Sequence, residues 1–260
     1  MLLDQVTTMS PVLKTILPMA LRERRLFESA DVDYVREEIS RILQPHSLSP
    51  QGRPSREVCH MDHLSLGRVG IGTIRFGKMQ VHVPEFEDYH LFLTCLSGSG
   101  SLRIDGDEIT IDQSRGVLIA PGEQMFASFS DDCEQFFVRI DRKAFGEHGG
   151  LRNVRFQRGV DLGLPSLGPR LWQLAMLASD PHATDLIQSI GGLSLDYERL
   201  LVTLLLAGHS HQEVEEKRSV SPGSVKRAVD FIHAAFDQPL TLADIARSAG
   251  VPSRTLLDSF

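Results

Sequence analysis

The 260-residue chain is short of several things. It has three cysteines, Cys59, Cys95 and Cys133, odd in number and widely spaced. That excludes a disulfide scaffold and fits a reducing cytoplasm. No apolar run approaches the ~18–20 residues that a membrane span needs, so no membrane partner is expected. The N-terminus lacks the order of a signal peptide: Asp4 and Lys14 interrupt the apolar residues, and Arg22-Glu23-Arg24-Arg25 follows them. There is no basic excess either. The 27 Lys and Arg stand against 34 Asp and Glu, a formal net charge of -7. That argues against a polyanion binder along the whole chain and leaves room for a small DNA-reading module at one end. No internal repeat or low-complexity tract is present. A nucleophile elbow, a phosphate loop and paired catalytic carboxylates are all missing. Gly70 to Gly77 is glycine-rich but opens into no helix, and strand glycines explain it better.

What remains is a chain that can bury a core: 42% of its residues are hydrophobic and 23% charged. Its length suits one large or two modest domains. Residues 1–28 are poorly patterned. Ser29 or Asp31 can then cap a helix in which Val32, Val35, Ile39 and Ile42 recur at helical spacing. Pro45 ends it, and 44–54 reads as a loop. From about 58 to 141 the period shortens. Strand runs occur at 80–83, 89–93, 101–104, 108–111, 116–120 and 134–140. Gly98-Ser99-Gly100 makes a turn, and Asp105-Gly106 between alternating runs signals a hairpin. Six to eight short strands at this spacing predict a β-sandwich or barrel.

Helical patterning returns from 160 to 208. Leu171, Leu174, Ala175 and Leu177 form one apolar set. Leu200, Leu201, Leu204 and Leu205 form another, before a Gly208 suited to a C-cap. Charged residues over 209–223 read as a linker. Beyond it, Val225, Ala228, Val229, Ile232, Ala235 and Phe236 predict an amphipathic helix. Thr241 caps a second helix over 242–249, with Asp244 three residues on. Gly250 follows, and Pro252 or Ser253 begins a third helix. This is the helix-turn-helix arrangement: Ala246 is small where the helices cross, and Gly250 tolerates the positive φ of a tight turn. Val251, Leu256 and Phe260 would face the core. Ser253, Arg254, Thr255, Leu257 and Asp258 would face the major groove. A plain αα-hairpin with glycine at its turn has the same bare pattern.

The segments Val225–His233, Gln238–Ala246 and Ala249–Leu256 make a more specific match. They resemble the linker-proximal helix and first helix-turn-helix of the AraC/XylS transcription regulators. Leu66-Gly67, Gly98-Ser99-Gly100, the Gly106 hairpin, Ala120-Pro121-Gly122 and Tyr197 to Leu201 are similar to the β-rich ligand-binding domain in one branch of that family. The resemblance covers nearly the whole chain from about residue 29. It implies an α+β chain: a cupin-like β-barrel or sandwich with flanking helices, then a short all-α helix-turn-helix segment. The expected division is a helical arm and loop over 1–56, a barrel over 57–158, and a helical dimerisation or packing region over 159–208. A linker over 209–223 and a DNA-binding segment over 224–260 complete it.

Two departures from the family pattern stand out. The family carries two helix-turn-helix motifs, and this chain ends inside the third helix, so an incomplete DNA-binding domain is expected. Arg254 suits a DNA contact, but Leu257 cannot donate to a base edge and Asp258 repels phosphate. The four basic and four acidic residues of 224–260 cancel, whereas a DNA module usually has a basic excess.

A cupin metal enzyme is the competing reading of the barrel. It needs neutral His and carboxylate side chains converging from neighbouring strands. His82 and Glu85 share a strand, but no His-x-His pair occurs, and Met125 stands where a ligand would. Cys59, His60 and His63 lack a completing partner and read as a surface strand entrance. No metal, no cofactor and no catalytic residue is therefore expected. The barrel can instead hold a small effector, with Arg75, His82, His90 and Arg103 as candidate anchors for an acidic one. Each of the four also reads as a solvated strand position. The sequence thus points to a cytoplasmic regulator that binds promoter DNA and a small-molecule effector, expected as a homodimer. The alternative is a ligand-binding or dimerising module that no longer binds DNA effectively.

Overall fold

The computed structural model describes residues 21–51, 58–151, 153–162, 180–213, 222–234 and 240–250. The chain forms two compact units, residues 1–213 and 214–260.

The first unit is built on two antiparallel sheets. Its elements run β1 (Arg25–Ser29), α1 (Val32–Ile42), β2 (Ser47–Pro50), β3 (Cys59–Leu66), β4 (Val69–Arg75), β5 (Met79–Val83) and β6 (Tyr89–Ser97). Next come β7 (Gly100–Ile104), β8 (Asp107–Ile111), β9 (Arg115–Ile119), β10 (Met125–Phe129) and β11 (Glu134–Asp141). Then follow α2 (Arg142–Gly149), β12 (Val154–Phe156), β13 (Gly159–Asp161), α3 (Pro181–Ser189), α4 (Leu193–Gly208) and β14 (His211–Glu213). One sheet has seven strands in the order β1-β3-β4-β11-β6-β9-β13. The other has five, β2-β5-β10-β7-β8, and β12 pairs with β14 alone.

Local chemistry places these elements. Asp31 caps α1 by accepting from the backbone N–H of Asp33 at 2.9 Å and of Tyr34 at 3.2 Å. Val35 and Ile39, four apart, then bury one face. At the β7–β8 hairpin Asp105 and Gly106 take φ of 48° and 92°. Ile104 pairs with Asp107 across them, the two-residue turn that Asp-Gly favours.

The inner strands of the larger sheet are buried on both faces. In β6 the seven residues Tyr89 to Cys95 are all buried. Strand alternation sends Leu91, Leu93 and Cys95 toward the five-stranded sheet and Phe92 toward the helices. The inter-sheet core includes Phe27, Met61, Ile104, Met125 and Phe137. The core under the helices includes Ile71, Phe136, Val138, Phe145, Leu201 and Leu205. A sandwich with a third, helical layer results.

The barrel is wider in sequence than 57–158. Strands β1 and β2, from the stretch read as arm and loop, join the seven- and five-stranded sheets. Strand β13 continues past 158 on β9. The 209–223 stretch is divided: His211–Glu213 pairs with β12, and the unit boundary follows Glu213. Leu171, Leu174, Ala175 and Leu177 lie outside the described residues. The leucine set of α4 splits, with Leu201 and Leu205 at 1% exposure and Leu200 at 47%. Cys59 and His63, read as a surface entrance, sit in β3, where Cys59 is buried in the inter-sheet core. All three cysteines are buried.

The second unit contains α5 (Pro222–Ala234) and α6 (Leu242–Ala249), which pack through Ala228, Ala246 and Ala249. Small side chains here let α5 and α6 approach closely; the helix after Gly250, which Ala246 was expected to meet, lies outside the described residues. Thr241 and Asp244 form a complete capping box at the start of α6. Gly250 closes it at φ 72°. The Arg227 guanidinium donates to the Ala249 carbonyl at 2.8 Å and satisfies an end group of α6.

Candidate functional site

Between the two sheets lies a cavity, with room of about 50 Å³ for the centres of water-sized molecules. Ile74 and Phe137 of the larger sheet and Val81 and Met125 of the smaller form its walls, and Ile39 of α1 with Leu43 closes it. Four polar side chains reach this lining: Gln44, His46, Tyr89 and Gln135.

Their states differ. Gln44 bonds backbone groups with both amide atoms, its Nε2 donating to the Glu85 carbonyl and its Oε1 accepting from the Glu87 N–H at 3.2 Å. His46 Nδ1 lies 2.9 Å from the Gln44 carbonyl, an acceptor only, so Nδ1 carries the proton. Burial lowers the His46 pKa from its ordinary value and keeps the ring neutral. Its Nε2 is then a bare acceptor, buried and without a partner. Gln135 is 4% exposed, and its Nε2 is likewise buried without a partner. Burial pushes the Tyr89 phenol up, so it stays protonated. The Arg139 guanidinium lies over the Tyr89 ring at 4.5 Å. His63 stacks on Phe137 at 6.1 Å, and burial together with Arg139 lowers its pKa to about 4.

None of the four candidate anchors lines this cavity. His90 points to the other side of the larger sheet, where its Nε2 donates to the Val154 carbonyl at 2.7 Å. It sits between Phe145 and Phe156, and burial lowers its pKa to about 4. Arg75 ends β4 and helps hold the Glu134 carboxyl below its usual range, behind the larger effect of His60, whose Nε2 lies 3.9 Å from it. His82 and Arg103 come together on the outer face of the five-stranded sheet. The His82 ring stacks on Phe126 at 4.1 Å, and Arg103 lies 5.2 Å from the same ring. That face is a shallow groove whose other residues include Ser47, Gln80 and Ser128. Alternation is the reason: His82 stands between inward Val81 and Val83, and Arg103 between inward Leu102 and Ile104. The polar residues that do line the cavity left a weak trace in the sequence. Gln135 directly precedes the apolar Phe136-Phe137-Val138, and His46 follows the proline after α1.

Met125 is buried in the inter-sheet core, and the turn before it is held by a carboxylate. Glu123 accepts from the Ala120 N–H at 2.8 Å and pairs with Arg155 at 3.3 Å and Arg158 at 3.2 Å. Among the described residues no three His, Cys, Asp or Glu side chains gather as a metal site needs. In the second unit, Ala246 packs with Ala228 of α5, and Gly250 has a positive φ. Ser253, Arg254, Thr255, Leu257 and Asp258 lie outside the described residues.

Known proteins resemble this chain in the same regions. The AraC-binding-like domain family matches residues 35–206, which span β2 to β13 and most of the flanking helices. A "Probable thc operon regulatory protein" of Rhodococcus erythropolis is 24% identical over 257 residues, 91% of this chain and 75% of that protein. "XylDLEGF operon transcriptional activator 3" of Pseudomonas putida is 25% identical over 246 residues, 91% of this chain and 72% of that protein. Among solved structures, the AraC-like transcriptional activator CuxR superposes with a TM-score of 0.52 at 13% identity. It covers 91% of this chain and 88% of its own. That likeness concerns the fold. With the family match covering most of the two-sheet unit, the chain belongs to the AraC-binding-like domain family.

Proposed function

We propose that this protein is a one-component transcription regulator. A small molecule enters the inter-sheet cavity, and the α5–α6 segment with the residues after it reads promoter DNA. The observation that carries this is one chain holding both a family-matched sandwich with an internal cavity and a capped helix–glycine-turn unit. Operon regulators are also what the similar curated proteins are named. The reading involves binding and no catalytic step. Effector control then requires different affinity for two arrangements of the protein. Three buried cysteines, odd in number and widely spaced, suit a reducing cytoplasm.

The protein acts as a homodimer in this reading. Leu186 and Ile190 at the end of α3, and Leu195 and Leu200 of α4, are 54%, 48%, 51% and 47% exposed. Exposed apolar side chains, on helices that also bury residues in the core, suit a second copy of the chain. Sedimentation should show a dimer at micromolar concentration. Leu200→Glu should give a monomer, with folding stability changed by no more than about 0.5 kcal/mol.

A gel shift with the DNA upstream of its own gene tests the regulator reading. A retarded band that weakens steeply with salt is expected. No band at low salt overturns it. The cancelled charge of 224–260 favours a second reading in that event, a ligand-binding module that pairs with other regulators without touching DNA. Cross-linked heterodimers with a related full-length regulator would then be found.

A further inference from the structure

The inter-sheet cavity is set apart by what its walls withhold. Among the described residues, its lining includes no Asp, Glu, Lys or Arg. Its four polar side chains turn little polarity toward the space. Gln44 bonds backbone groups with both amide atoms. Burial holds His46 neutral, and its Nε2 is itself buried, as is Gln135 Nε2. Tyr89 is 2% exposed, its ring edge-on to Phe86 at 5.6 Å and beneath Arg139. The surface left facing the space is almost wholly apolar. Both sheets and α1 contribute to it, through Ile74, Phe137, Val81, Met125 and Ile39. Protein interiors hold few voids larger than a water molecule. Here about 50 Å³ exceeds the ~10–15 Å³ that one water needs and is well below the ~150 Å³ that admits benzene. A buried water needs about two to four polar partners, which this lining does not offer. Left empty, the walls forgo dispersion contacts that a guest supplies.

We infer that the cavity binds a small, uncharged, apolar molecule of the short hydrocarbon or halocarbon class, held by dispersion contact and by exclusion from water. This deepens the sensor reading of the sandwich and rests on it. An anion gains nothing here: it gives up its hydration and meets no cation on the lining. The candidate anchors for an acidic effector, Arg75, His82, His90 and Arg103, are all absent from that lining. A hydroxyl is a lesser misfit of the same kind, since it loses hydrogen bonds to water and finds apolar surface instead. The space sets the size, a molecule of a few heavy atoms and smaller than benzene.

The test is a titration of the whole chain with chloroethane, ethanol and acetate, three probes of similar size and rising polarity. It is followed by the methyl resonances of Ile39, Ile74 and Val81, which line the cavity. Those of Ile71, Val138 and Leu201, in the core under the helices, serve as the reference. Chloroethane should move the first set alone and bind about tenfold tighter than ethanol, and acetate should move neither set. Xenon under pressure should move the same lining methyls. Val81→Phe should fill the space and abolish the chloroethane shift. If that variant does not fold, the ranking of the probes on the unaltered protein decides alone. Equal or tighter binding of ethanol or acetate overturns the inference. So does an equal response of both methyl sets, or no saturable shift with chloroethane to about 20 mM; the last result means a packing gap that takes no guest. The titration uses no DNA. A positive gel shift beside a negative titration therefore rejects the ligand class and leaves the regulator reading standing.

Discussion

Phe136 and Phe137 are neighbours in β11 and lie on opposite faces of the same sheet. Phe136 is fully buried in the core beneath the helices. Phe137 is 1% exposed and lines the inter-sheet cavity. Both faces hold buried polar groups, some paired and some not, and the inter-sheet face borders the cavity. Under the helices, Glu198 at 1% exposure accepts from His148 at 2.7 Å and pairs with Arg68 at 2.8 Å. His90 Nε2 is tied to the Val154 carbonyl, while its Nδ1 is buried without a partner. Between the sheets, His46 Nε2 and Gln135 Nε2 have no partner. What sets the inter-sheet core apart is the cavity it encloses, not unpaired polar atoms.

The largest effect that can sharpen this contrast is loss of either ring. Phe136→Ala should destabilise by about 4 kcal/mol, because it opens a new void among packed side chains. Phe137→Ala should cost about 3 kcal/mol, because its side chain already borders empty space. Urea unfolding with added benzene separates the two. Benzene should restore part of the loss for Phe137→Ala alone, since only that void joins an existing cavity. Equal rescue of both variants would break the comparison.

Protonation is the next largest effect. His63 on one face and His90 on the other both titrate at about 4, against an ordinary value near 6.5. The unfolded chain binds these protons first, so the stabilisation is complete above about pH 6.5 and lost as pH falls toward 4. His90 alone should cost about 2 kcal/mol between pH 7 and pH 5. Denaturation of His90→Phe across that range should show a flatter pH dependence than the parent. An unchanged slope would mean that His90 is not the group responsible.

A smaller effect is expected in the second unit. Thr241→Ala removes the side-chain oxygen that accepts from the Asp244 N–H and should loosen α6 by about 1 kcal/mol. Hydrogen exchange of residues 242–249 should quicken while that of β6 and β11 stays as it was. If the strands quicken too, the two units unfold together.

The sequence made much of this fold legible. The Asp105-Gly106 hairpin, the Asp31 cap, the Thr241–Asp244 box and the Gly250 stop all rest on near-neighbour chemistry, so a few residues announce them. Strands β5 to β9 and β11 showed through alternation or continuous apolar runs. Strand β14 did not, because its three residues are polar and exposed and its partner β12 lies far back in the chain. The candidate anchors failed to meet in the cavity for a related reason. Alternation says that His82 and Val81 face opposite ways without saying which way is in.

The chain by itself determined the turns, the caps, the strand periods and the helix–glycine-turn pattern. It also set the family, through residues 35–206. Tertiary structure alone decided which side chains look into the cavity. For a strand covered on one side, burial follows from pattern. In β6 and β11 both sides are covered, so nearly every residue is buried and the pattern carries no sign. Only the placement of the five-stranded sheet on one side and the helices on the other makes Gln135 a cavity group and His90 a core residue.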